Sequence, residues 1–126
     1  MMLATPCFAR NKFALLMRVE DRVGWGSAVY LRNRLVDEVK SVKLHPIDNR
    51  IDEDRISSAS YDGFMKVTLT ESKNNRAECL VEFLPFGGEQ NTAQIPAVGA
   101  DAHGTLRNLA KKAAAFVDNM LLTKGM

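Results

Sequence analysis

From Asp101 to Met120 the apolar residues recur every three or four positions: Ala102, Leu106, Leu109, Ala113, Phe116, Val117, Met120 and then Leu121. That spacing predicts one long amphipathic helix. At about 100° per residue, Arg107, Lys111 and Asp118 fall opposite the apolar stripe, with Asn108, Lys112 and Asn119 beside them. Lys124 and Gly125 supply a cation and a left-handed stop at its end. The pattern elsewhere has period two. Phe13, Leu15, Met17 and Val19 alternate with Ala14, Leu16 and Arg18, which predicts a strand over Lys12–Val19, buried on both faces because Leu16 lies on the second. Phe64–Thr70 and Ala77–Leu84 also alternate. The polar run Ser72-Lys73-Asn74-Asn75-Arg76 between them predicts a hairpin. Thr92–Val98 reads as a short strand that Pro96 confines to a sheet edge.

Residues 27–44 support two readings. Leu31, Leu35, Val39 and Val42 fit one helical face, with Ser27 as a candidate N-cap. Alternatively, Ser27–Leu31 closes a hairpin on the first strand, and Val42 and Leu44 alternate in a third. Periodicity favours a helix near residues 27–42. The stretch from Pro46 to Asp62 has no periodicity and many charges (Asp48, Arg50, Asp52, Glu53, Asp54, Arg55), so it reads as a long connection, functional or mobile. The expected fold class is therefore α+β: a small antiparallel sheet with the C-terminal helix packed on one face and a second helix near residues 27–42.

Composition adjusts this picture only modestly. At 126 residues, 46% hydrophobic and 25% charged, the chain reads as one globular domain. Its 17 basic and 15 acidic residues leave a net charge of +2, spread over both halves. That charge permits a polyanionic partner but does not by itself predict one. Cys7 and Cys79 are too sparse for a disulfide framework, and Cys79 is expected to be a buried thiol. No apolar run is long enough to span a bilayer, and the first residues make a poor signal peptide. The expected compartment is a reducing cytosol.

Catalytic and metal-binding patterns are not found. His45 and His103 have no cysteine or histidine at zinc spacing. The acids of the 46–62 stretch lack the alternate oxygen ligands and the central glycine of a calcium loop. Cys79 is flanked by Glu78 and apolar residues, which raise a thiol pKa. His103 opens the terminal helix, where the helix N-terminus disfavours a charged imidazole; it reads as a surface capping-region residue, with a neutral acid–base group as the functional alternative. The Gly24-Trp25-Gly26 triplet and the Gly87-Gly88 pair are not phosphate loops. Trp25 is expected to anchor a turn, with an exposed ring able to stack on a base as the functional alternative. The expectation is a protein that is not an enzyme and uses no metal or cofactor.

The segment Gly104-Thr105-Leu106-Arg107-Asn108-Leu109-Ala110-Lys111-Lys112-Ala113-Ala114-Ala115 resembles the second helix of double-stranded RNA-binding domains. The likeness is confined to these residues, and Asn108 stands where that family has a lysine. It implies Arg107, Lys111 and Lys112 on backbone phosphates, aided by the helix N-terminus. Nucleic acid, RNA first, is thus the expected partner, with Arg107, Lys111, Lys112 and Trp25 as candidate binding residues. Two further readings stand beside it. The outline is similar to small RNA-phage coat proteins, which implies a self-assembling, homodimeric viral structural protein. The last reading is a small protein-binding adaptor or inhibitor.

Overall fold

The computed structural model describes residues 12–123. Seven principal elements follow in chain order: β1 (Lys12–Val19), α1 (Trp25–Glu38), β2 (Lys43–Pro46), β3 (Gly63–Ser72), β4 (Arg76–Pro85), β5 (Asn91–Val98) and α2 (Ala102–Thr123). The fold is α+β, with both helices on one face of a five-stranded sheet ordered β2-β1-β3-β4-β5. The sheet is mixed, which corrects the expected antiparallel one. β1 runs parallel to both β2 and β3, while β3–β4 and β4–β5 are antiparallel. The physical reason is α1. A helix between two neighbouring strands returns the chain to the end where it started, so the second strand must run parallel to the first.

Residues 27–44 follow the helical reading: Ser27–Leu31 is helix and closes no hairpin on β1, and only Leu44 keeps the place the strand reading gave it. The helix starts earlier than expected, at Trp25, with Gly24 rather than Ser27 in the N-cap position and no side-chain cap bond. It stops at Glu38, and Leu44 then enters the four-residue β2. Ala28, Leu31 and Leu35 form its buried stripe.

The helix-facing side of the sheet carries the core in register. Leu15, Met65 and Phe83 align across three strands, followed by Met17, Val67 and Val81, then Leu69, Cys79 and Ile95. Against these pack Leu31 and Leu35 of α1 and Leu109, Ala113 and Val117 of α2, all fully buried. The Phe13 and Phe83 rings stack with centroids 4.6 Å apart.

The other face is divided. The 46–62 connection folds over one end of it, and Ile47, Ile51, Ile56 and Tyr61 pack with Ala14, Phe64, Leu84 and Phe86. It is therefore a structured cover with a single 3-10 turn at Glu53–Arg55, not a purely charged loop. The rest of that face mixes polar side chains with the fully buried Leu16 and the half-buried Leu80. Lys66 sits between Leu16 and Glu82 in register, and Thr68 between Arg18 and Leu80.

Candidate nucleic-acid interface

α2 begins with Asp101, whose carboxylate accepts the Gly104 N–H at 2.7 Å. This is an N-cap, and it fills the anion position that the helix N-terminus would offer to a phosphate. The Thr105 hydroxyl is fully buried and reaches the Asp101 carbonyl at 2.7 Å and the Asn74 carbonyl of the β3–β4 turn at 3.0 Å. The chain enters the helix through Gly99, where a Cβ would lie 2.6 Å from the Thr105 nitrogen. The expected apolar stripe is inside: Leu106, Leu109, Ala113 and Val117 are buried, and Phe116, Met120 and Leu121 pack partly against the same core.

On the outer side, Arg107, Lys111 and Lys112 are all exposed. Their situations differ. Arg107 and Lys111 form no ion pair among the described residues. Lys112 lies on the flank towards β5, and its ammonium donates to the Pro96 carbonyl at 3.0 Å. Asn108 does the same to the Val98 carbonyl at 2.8 Å. These two side chains occupy the outward carbonyls of the edge strand beside Pro96, which has no N–H of its own. Asp118, expected on the solvent side, turns towards α1. Its carboxylate accepts the backbone N–H groups of Lys40 and Ser41 and the Ser41 hydroxyl.

Trp25 occupies the first position of α1 and is 38% exposed. α1 and α2 run side by side in the same direction, since Tyr30 meets His103 near their starts and Lys40 meets Asp118 near their ends. Since Tyr30 is level with His103, Trp25 lies more than a turn before that level on α1, while Arg107 lies about a turn after it on α2 and Lys111 and Lys112 a turn further still. The Tyr30 and His103 rings stack at 4.4 Å with 9° between planes. That gives His103 a packing role in addition to its place at the helix start.

Sequence reasoning did not find the charge array on the open sheet face. Lys66 pairs with Glu53 and lies 3.8 Å from Glu82, while the Arg18 guanidinium donates to the Ile51 carbonyl at 3.1 Å. The signal was present in the alternation of β3, where Lys66 falls on the face opposite Met65 and Val67. Nearby, Ile56, Phe64, Leu84 and Phe86 line a hollow of about 530 Å³ bordered by Glu53 and Asp54. Among the described residues no group of three or more His, Cys, Asp and Glu side chains is placed to hold a metal. No helix among them is long and apolar enough to cross a membrane.

No family model matches the sequence, and no curated protein matches it. Among solved structures, the chain is similar to the hypothetical protein CT253 from Chlamydia trachomatis, at 10% identity and a TM-score of 0.64 over 90% of this chain and 99% of that one. It is also similar to the PelC dodecamer from Paraburkholderia phytofirmans, at 12% identity and a TM-score of 0.62 over 82% of this chain and 84% of that one. At such identities these likenesses establish a shared fold.

Proposed function

We propose that this chain is a non-catalytic binding protein that takes nucleic acid, RNA first, on the outer face of α2. The observation that supports the reading is the pair Arg107 and Lys111, both exposed and neither in an ion pair among the described residues. The partly exposed ring of Trp25, at the first position of α1, is available for stacking. The helix N-terminus contributes less than the sequence suggested, because the Asp101 carboxylate caps it, whereas Lys112 gives one N–H to the Pro96 carbonyl and keeps its charge and two further donors. The contact is thus electrostatic, small and indifferent to sequence. A reducing cytosol suits the buried free thiol of Cys79.

The footprint sets the test. Two to three phosphate contacts give a slope of log K against log salt of roughly −1.4 to −2.7. Fluorescence anisotropy of a labelled RNA duplex, titrated with the protein over a salt series, measures it. Arg107→Glu combined with Lys111→Glu should abolish retention, and unchanged retention rejects the reading.

A second reading is a subunit of a closed homo-oligomer, favoured by one observation: the similarly folded PelC is a dodecamer. The α2 stripe is already buried within the chain, so assembly of that kind would use sheet edges or outer helix faces. Light scattering that gives a single multiple of the chain mass favours this reading, and a monomer at high concentration opposes it.

A further inference from the structure

β2 forms one margin of the sheet, and no strand among the described residues lies beyond it. Ile47 donates its N–H to the Leu15 carbonyl of β1 at 3.1 Å. Backbone groups alternate sides along a strand, so the N–H and carbonyl of Leu44 and the carbonyl of Pro46 face away from β1. Beside them a groove of about 490 Å³ runs between β2 and the end of α1. Val36, Val39 and Val42 give it an apolar floor, with Val39 and Val42 buried and Val36 37% exposed. Its rim carries two exposed cations, Lys40 and Lys43, against one acid, Asp37. The Lys40 ammonium donates to the Asp37 carbonyl at 2.8 Å, and Lys43 forms no ion pair among the described residues. The opposite margin of the sheet differs, because Lys112 and Asn108 already occupy two outward carbonyls of β5, those of Pro96 and Val98.

We propose that the β2 edge takes an extended acidic segment of a partner protein as an added strand, its alternate side chains seated on Val36, Val39 and Val42 and its carboxylates on Lys40 and Lys43. The edge supplies the main-chain hydrogen bonds, the valines supply pockets for alternate residues, and the two lysines select the charge. This site is separate from the outer face of α2, and its test does not depend on nucleic acid.

The probe is a short peptide of alternating glutamate and valine, titrated into the full chain carrying nitrogen-15. Amide shifts confined to residues 36–45, with slowed exchange of the Leu44 N–H, are expected. A lysine–valine peptide of the same length should produce neither change. Lys40→Glu with Lys43→Glu should weaken capture of the acidic peptide by about tenfold while leaving the rest of the spectrum in place. The proposal is overturned if the shifts map elsewhere, if both peptides act alike, or if the charge reversal changes nothing. Protection of the Leu44 amide before any peptide is added, by a second copy or by another part of the chain, overturns it equally.

Discussion

Cys79 sits on the helix-facing side of β4 among Leu69, Ile95 and the core, and burial first, then the neighbouring Glu78 carboxylate, pushes its thiol up to about 12. Thiolate is the reactive form, so the group is inert at neutral pH. The folded chain holds this proton more tightly than an unfolded one does. The stability linked to it is therefore intact below the ordinary value of 9.0 and is lost as pH rises through about 12. In a Cys7→Ser background, a disulfide-exchange reagent should fail to label the native chain at neutral pH and label it fully in denaturant. Rapid native labelling contradicts this burial. Gly63 is a second residue with a sharp requirement, since a Cβ there would lie 2.4 Å from the Leu84 carbonyl oxygen and 2.5 Å from the Phe13 ring. Gly63→Ala should cost about 1–3 kcal/mol, read as a lowered midpoint in urea. An unchanged midpoint contradicts the close approach. The sequence disclosed the buried thiol, because Cys79 alternates in phase with Val81 and Phe83. It could not disclose that Lys112 and Asp118 turn to the flanks of α2. A helical wheel gives direction around an axis, not what stands on either side of it.

α2 was readable at the scale of the element because its apolar stripe persists over several turns, and the β3–β4 hairpin because alternation resumes on both sides of a polar turn. β2 was legible only in the strand reading of residues 27–44, where Leu44 belongs to a third strand, because four residues with one buried apolar side chain carry little period. The parallel pairing of β1 with β3 was hidden for a related reason: its partners lie far apart in sequence, joined through α1, β2 and the 46–62 cover. That cover looked purely polar because Ile47, Ile51, Ile56 and Tyr61 are spaced irregularly, yet these residues seal the far end of the sheet. The junction between the helices rests on Asp118, whose carboxylate takes the Lys40 and Ser41 amides where the chain leaves α1. Asp118→Ala leaves those donors without the charged acceptor and should cost about 1–2 kcal/mol. Thermal unfolding checks this, and a melting temperature equal to that of the parent chain would show that the junction holds without it.

For the molecule as a whole, two helices cover one sheet face, leaving a groove beside β2, while the 46–62 connection covers one end of the other face. The outer side of the helical layer and the β2 margin of the sheet are thus the surfaces on which the two proposals rest. Net charge bounds how strong a polyanion contact can be. With +2 overall, and with Arg107, Lys111 and Lys112 outside ion pairs among the described residues, the contact proposed for the outer face of α2 would be weak and would not read sequence. The candidate site was legible in the sequence as a basic helix face. Its true extent depended on the Asp101 cap and the Pro96 carbonyl, which belong to the segments that α2 packs beside. The most direct measurement is an amide spectrum of the chain titrated with an RNA duplex at low salt. The account predicts shifts centred on Arg107 and Lys111, with Trp25 affected and the open sheet face silent. Shifts centred on the sheet face, or none at all, would contradict it.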